Sequence, residues 1–120
     1  MKAMTLAIAL GIAGCAYNAI PHKFIQDGSV WKCGYHVDSS GEDGFVFEVC
    51  LQKYSFMPNP DEAIQAARNC FATTAASVAS RQGKEIAALT SSDMAIQKVS
   101  RNLNGDYVVF VKGKVRFAAE

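Results

Sequence analysis

The residues with the most distinctive chemistry in this sequence are its four cysteines, Cys15, Cys33, Cys50 and Cys70. Thiols at suitable spacing bind metals, exchange disulfides or form structural bridges. No two of these cysteines are separated by two residues, the spacing that is typical of thiol–disulfide oxidoreductases and of zinc knuckles. The sequence therefore favours neither a redox motif nor a thiolate metal site. Covalent attachment and structural bridging are the chemistry that remains.

The first cysteine closes an apolar segment at the beginning of the chain. Lys2 precedes a run of small or aliphatic residues over positions 3–13, and the run ends in Ile12-Ala13-Gly14-Cys15. It is shorter than the roughly 20 residues of a transmembrane helix. It resembles the signal peptide and lipobox of bacterial lipoproteins. The resemblance implies that residues 1–14 are removed, that Cys15 carries the lipid, and that acyl chains anchor the mature protein to a membrane.

The residues after Cys15 bear on where the exported protein resides. Ala16 stands where an aspartate would favour the inner membrane in enterobacteria-like sorting, so the resemblance implies the outer membrane, facing the periplasm. Two alternatives stay open: an ordinary secretory signal cleaved after Ala16 or Ala19, and a retained anchor. Residues 15–29 are rich in polar and helix-breaking types and show no periodicity, which predicts a tether between the lipid and the domain.

Residues 30–120 predict a single α+β domain with an antiparallel sheet of about 4–5 strands and one long helix packed on one face, in the order β-β-α-β-β-β. Alternating apolar residues indicate the strands, and a helical period indicates the helix. The predicted elements are, in chain order, strand 30–37, strand 45–54, helix 60–82, strand 85–89, strand 96–101 and strand 107–117. The pair Asn104-Gly105 favours a hairpin between the last two strands. For residues 94–102 a short helix capped by Ser91 or Ser92 is the alternative.

The first two strands are predicted to form a hairpin that directs both apolar rows to one face. The register with this property pairs Val37 with Phe45, Tyr35 with Phe47, Cys33 with Val49, and Trp31 with Leu51. It turns Cys33 toward the core and places Cys50 on the opposite face.

The predicted helix has a strong start signal. Asn59 is expected at the N-cap, Pro60 at the first helical position, and Glu62 where its side chain can complete a capping box. Most of the apolar stripe is alanine, threonine or serine, which bury little area each. The larger residues expected to supply most of the packing are Ile64, Phe71 and Val78.

The three cysteines beyond Cys15 predict one structural disulfide, because an exported protein folds in an oxidising compartment. Cys70 lies at the flank of the helix stripe that should face the sheet, and Cys33 lies on the sheet face that should meet it. The preferred pairing is therefore Cys33–Cys70, with Cys50 free. The pairings Cys50–Cys70 and Cys33–Cys50, and the absence of a bridge, stay open.

The two histidines are the first candidates for metal binding or catalysis. His22 falls in the predicted tether and His36 on the polar side of a strand, so both are expected to be solvated, with no metal site. The segment 36–40 holds the residue types of a hydrolase triad. Neighbours in one exposed segment rarely converge on a nucleophile, so no catalytic site is predicted there.

Three more groups are assigned to surface or core. The loop 38–44 holds three carboxylates but lacks the spacing of an EF-hand, which favours a solvated hairpin loop. Lys112, Lys114 and Arg116 form a basic stripe on the last strand, which suits either the wet face of the sheet or contact with acidic lipid or protein. Aromatic residues that could line a groove, but are expected to form core, are Trp31, Tyr35, Phe45 and Phe47.

Composition narrows the classes of function. The formal net charge of +1 becomes zero once Lys2 is removed, and no basic run with interleaved aromatics occurs, so nucleic acid is not an expected partner. The hypothesis is an exported, lipid-anchored envelope protein that acts as a non-enzymatic interaction or structural module, without a cofactor. Its expected partners are the membrane and an envelope protein. The alternative is a periplasmic ligand-binding or inhibitor domain that uses the loop 38–44, and a small hydrolase is a remote one.

Overall fold

The computed structural model of the chain describes residues 19–56 and 58–119. It is a four-stranded antiparallel sheet with one long helix packed on one face, which confirms the predicted fold class. The elements are β1 (Cys33–Ser40), β2 (Gly44–Tyr54), α1 (Asp61–Arg81), a short 3-10 helix (Ser91–Asp93), β3 (Ala95–Arg101) and β4 (Asp106–Arg116).

The strands lie in the order β1-β2-β4-β3, so β2 and β4 form the centre of the sheet and β1 and β3 form its edges. The two central strands carry the most apolar sequences, because their side chains on the helix-facing side have no access to water. Residues of the central strands whose side chains are fully buried on the helix-facing side are Phe47, Val49, Val109, Val111 and Val115.

The predicted strand at 85–89 is wrong. This stretch makes only an isolated bridge, in which Ile86 lies opposite Phe117. β3 already occupies the neighbouring edge of β4 up to Lys112, and a side chain at Gly113 would collide with the carbonyl oxygen of Asp93. The free length of that edge is therefore too short for a further strand, and the observed order is β-β-α-β-β.

The β1–β2 hairpin forms with a register two residues away from the predicted one. Cys33 lies opposite Leu51 and Tyr35 opposite Val49, and an irregularity follows Val37. A shift of two residues keeps every side chain on its predicted face, since side chains alternate with period two. Trp31, which was expected in the apolar row, lies before β1 and is 82% exposed.

Residues 95–101 form the predicted strand, β3. The alternative, a short helix in this segment, is reduced to the single 3-10 turn that precedes the strand. Thr90 and Asp93 close that turn with a reciprocal capping box. The following turn is stabilised by Asn102, whose Oδ1 accepts hydrogen bonds from the backbone N–H groups of Asn104 and Asp106, each at 3.0 Å. Gly105 adopts a φ of 88°, a left-handed conformation that suits glycine.

Helix α1 packs on the sheet mainly through small residues and one large ring. The ring of Phe71 lies 4.6 Å from that of Phe47, centroid to centroid, whereas Ile64 is only half-buried. Gly113 lets Phe71 approach the sheet, because a side chain there would press on the ring. The buried residues of the helix are Ala63, Ala67, Cys70, Phe71, Thr74, Ala75, Val78 and Ala79.

The opposite face of the sheet is covered in part by residues 19–26, which the sequence analysis assigned to a tether. Ile20 and Phe24 are 5% and 4% exposed and pack against Cys50 and Val108. Ile25 forms an isolated bridge with Tyr35 at the edge of β1. The expectation of a free tether therefore does not hold for this stretch, because its apolar residues cover a sheet face that is itself apolar.

The start of α1 gives a first testable prediction. Asn59 Oδ1 accepts a hydrogen bond of 2.9 Å from the backbone N–H of Asp61 and so satisfies that donor, but the helix begins one residue later than predicted, with Pro60 and not Asn59 at the N-cap position. Glu62 makes no return bond and instead lies 3.8 Å from Lys53. Asn59→Ala should lower the free energy of unfolding by about 1 kcal/mol, since a helix donor loses its acceptor. Glu62→Ala is the matched control in urea denaturation. An equal loss from both variants would contradict this role of Asn59.

Candidate functional site

Cys33 and Cys70 lie together at disulfide-bonding distance, with their Cα atoms 6.7 Å apart and a sequence separation of 37. The pair joins the beginning of β1 to the middle of α1. Both side chains are buried, at 4% and 1% exposure. The structure therefore agrees with the preferred pairing, and it places the link between the two layers of the fold.

Cys50 is a free cysteine on the other face of the sheet. It is fully buried beneath Ile20 and Phe24. Removal from water raises the pKa of its thiol to about 12, with a smaller contribution from the negative charge of Glu48. At neutral pH this group is a protonated thiol, which is a poor nucleophile and a poor metal ligand.

The burial of Cys50 leads to a second prediction. In the native protein Cys50 should react with iodoacetamide at least about a hundredfold more slowly than in 6 M guanidinium chloride, because both access and ionisation are suppressed. Phe24→Ala should increase the native rate, since it uncovers the sulfur, whereas Ile25→Ala at the sheet edge should not. Mass spectrometry of tryptic peptides measures the labelling. Equally fast labelling in both states would contradict the burial.

A charged network lies on the exposed part of the same face. Asp38 contacts His36 Nε2 at 3.5 Å through one carboxylate oxygen and Lys112 Nζ at 2.7 Å through the other. The hydrogen bond from Lys112 lowers the pKa of Asp38 and raises the pKa of Lys112. Asp38 is thus held between two basic groups, which makes it a structural anion.

The residues weighed as catalytic or metal-binding candidates lie as follows among the described residues. Neither Ser39 nor Ser40 makes a hydrogen bond with His36 there, and no group of three or more potential metal ligands occurs in residues 19–56 and 58–119. The loop between β1 and β2 is shortened to the three exposed residues 41–43, because β1 extends to Ser40.

The basic stripe meets this loop at one end of the sheet. Lys112 is held by Asp38, whereas Lys114 and Arg116 line an open groove of about 750 Å³. The groove is also lined by Glu42 and Asp43 from the loop. This end of the domain, named here the groove end, therefore presents both signs of charge around a concave surface.

The other end of the sheet carries a set of exposed apolar side chains that sequence reasoning missed. We name it the apolar end and define it by Trp31, Tyr54, Phe56 and Leu103. Trp31 precedes β1, Tyr54 ends β2 and Phe56 follows it, and Leu103 lies in the turn between β3 and β4. Antiparallel pairing brings these three chain segments to the same end of the sheet.

Local contacts hold the parts of the apolar end together. The backbone N–H of Ser55 donates to the carbonyl of Gly105, and Arg101 donates to the carbonyl of Ser55, so the end of β2 rests on the turn that carries Leu103. A cleft of about 420 Å³ is lined by both Trp31 and Tyr54. One signal of this surface was present in the sequence: Tyr54 and Phe56 are large apolar residues, two positions apart, at and just beyond the end of the second predicted strand.

The described chain also enters the fold near this end. The backbone N–H of Ala19 donates a hydrogen bond of 2.9 Å to Gln52 Oε1, and Gln52 Nε2 donates at 2.9 Å to Asp106 Oδ2. Gln52 and Asp106 belong to the last residues of β2 and the first of β4. Cys15, the predicted lipid attachment site, lies outside the described residues.

Compared with known proteins, the chain matches no family model, and neither the curated proteins nor the solved structures include a significant match. Within the described ranges, no helix has both the length and the apolar character needed to cross a membrane. The site is therefore interpreted from its own residues.

Proposed function

We propose that this protein is an exported, lipid-anchored protein of the bacterial cell envelope, attached through Cys15 at the outer membrane and facing the periplasm. Its domain acts as a non-enzymatic interaction module. The observation that carries the proposal is the pairing of Cys33 with Cys70. Such a bridge persists in the periplasm and is rare in the reducing cytosol. It supports the export that the lipobox-like segment Ile12-Ala13-Gly14-Cys15 implies.

The state of the reactive side chains supports a role without catalysis. Cys33 and Cys70 are linked to each other, and Cys50 is buried and protonated at neutral pH. The carboxylate of Asp38 is held by Lys112. An enzyme usually keeps a nucleophile, base or acid accessible within a cleft and ready to change its protonation state. Here the three cysteines of the domain and Asp38 instead make contacts that belong to the fold.

The proposed module contacts an envelope protein through the groove end. Lys114 and Arg116 lie there beside Glu42 and Asp43, an arrangement that suits complementary charges on another protein. The chain enters the fold near the other end of the sheet, at Gln52, so a lipid upstream of Ala19 leaves the groove end facing away from the membrane.

Site-directed photo-crosslinking in intact cells tests this contact. A crosslinking residue at position 42 should capture one specific partner, and capture should fall when Lys114→Glu reverses a charge in the groove. The matched control is position 65, an exposed helix residue. Equal capture from both positions would contradict a partner site at the groove end. Capture of one hydrolase would support the inhibitor alternative.

The lipid itself gives a third prediction. Cys15→Ser should abolish labelling by a fatty-acid analogue and leave an unprocessed precursor, because serine supplies no thiol for acylation. Cys50→Ala, which changes a buried cysteine of the domain, should label and mature normally. Metabolic labelling followed by gel analysis and N-terminal mass determination measures both effects. Normal processing and membrane retention of Cys15→Ser would contradict the anchor.

A further inference from the structure

We propose that the apolar end rests on the surface of the lipid bilayer, with Trp31 and its neighbours seated among the headgroups. This inference depends on the proposed lipid at Cys15, and it adds a defined orientation of the domain. The occupant of this surface is the membrane itself.

The exposure of these side chains is the first observation. Trp31 is 82% exposed, Phe56 is 83% exposed, and Leu103 is fully exposed. Four of the six large apolar side chains that are exposed among the described residues belong to the apolar end. Trp31 and Tyr54 line one cleft, and large apolar side chains that lie exposed at one end of a domain mark a contact surface.

The length of chain between the lipid and the domain is the second observation. Cys15 and Ala19 are four residues apart in sequence. A fully extended chain covers at most about 3.6 Å per residue, so the lipid-bearing residue lies within about 14 Å of Ala19. Ala19 is bonded to Gln52 at the end of β2, where Tyr54 follows. A bilayer that holds the acyl chains is therefore within reach of the apolar end.

The residue types at this end suit the interface between water and lipid. Tryptophan and tyrosine concentrate at headgroup depth, because each combines an apolar ring with a polar atom that can remain hydrated. Phe56 and Leu103 add apolar area that inserts beside them. The acyl anchor supplies the main attachment, and these side chains set the angle at which the domain stands.

The charges at the apolar end indicate which interaction drives its contact with the bilayer. Lys53 is accompanied by Glu62 at 3.8 Å, and Arg101 is engaged with the carbonyl of Ser55. Asp106 lies between them at the start of β4. With charges of both signs present, contact with the bilayer depends on apolar insertion, and it does not require anionic lipid.

This orientation has a geometric consequence. β2 and β4 each have eleven residues, so they span about 36 Å at about 3.3 Å per residue. With their ends on the bilayer, these strands hold the groove end about that far from the headgroups. The groove end then stands where an envelope protein can reach it.

Fluorescence of Trp31 tests the contact directly, since the chain contains one tryptophan. The lipidated protein is purified from membranes and reconstituted into phosphatidylcholine vesicles, with or without bromine near the upper part of the acyl chains. Bromine should reduce the emission by about half, because a tryptophan at headgroup depth lies within contact of shallow quenchers. Adding phosphatidylglycerol should leave the quenching unchanged.

Variants separate this contact from general proximity to the vesicle. The pair Phe56→Ser and Leu103→Ser should reduce the quenching, and Ile25→Ser, at the edge of β1, should not. Flotation of the same samples reports the anchor. A protein that floats without quenching overturns the proposed orientation and leaves the apolar end to a protein partner. A protein that carries no lipid and does not float overturns the anchor and the orientation together.

Discussion

The double substitution Cys33→Ala/Cys70→Ala is expected to lower the free energy of unfolding by about 3–4 kcal/mol. The bridge spans a sequence separation of 37 residues and connects β1 with α1. Closing a loop of this length restricts the unfolded chain far more than the folded one, in which both residues are already fixed. The loss is a large fraction of the roughly 5–15 kcal/mol that stabilises an ordinary domain.

Two comparisons isolate the contribution of the bridge. Cys50→Ala keeps the bridge and removes one buried sulfur, so it should cost about 1 kcal/mol. Dithiothreitol should lower the urea midpoint of the wild-type protein toward that of the double variant and leave the double variant unchanged. A wild-type midpoint that is insensitive to reduction, with the bridge shown to be open by mass spectrometry, would contradict the predicted stabilisation.

Phe71→Ala is expected to cost about 3–5 kcal/mol, the largest effect of a single substitution in the helix. Phe71 is fully buried, and its ring lies against Phe47 in the centre of the sheet. The other buried side chains of α1 are small, so none of them can fill the cavity that the substitution leaves. Gly113 lies under the ring, and its lack of a side chain prevents compensation from the sheet.

Ile64→Ala provides the matched control, since the sequence pattern assigned Ile64 and Phe71 similar packing roles. Ile64 is half-buried in the structure, and its truncation should cost about 1 kcal/mol. Urea denaturation followed by circular dichroism measures both variants. If the two losses were equal, the core would be centred nearer to the beginning of the helix than the structure shows.

Local patterns were sufficient for the elements that depend on neighbouring residues. Alternation identified β2 and β4, and the Asn104-Gly105 pair located the last hairpin. The helical period and the signal at Asn59 located α1, because period and capping are properties of adjacent residues. The pairing of Cys33 with Cys70 followed from the faces on which they lie. The face of Cys33 was predicted correctly, because a register error of two residues leaves each side chain on the same side of the sheet.

Long-range contacts were needed for the rest. The stretch 85–89 has strand-like residues, but the edge it would occupy is limited by β3 and by the close approach at Gly113. The stretch 19–26 reads as a linker, yet Ile20 and Phe24 find an apolar sheet face to cover. Neither outcome can be predicted from local sequence, because each depends on contacts with residues that are distant in the chain.

The candidate functional site likewise has one part that the sequence alone indicated and one part that only the tertiary structure formed. The proposed signal that ends at Cys15 rests on its own residues alone, since a signal of this kind is read as a linear sequence, and it stays a prediction. The apolar end was not recognisable, because Trp31, Tyr54 and Leu103 belong to three separate segments, and Trp31 also fitted the core row of a strand. Antiparallel pairing brought these segments to one end of the sheet, and the register of β1 left Trp31 in solvent.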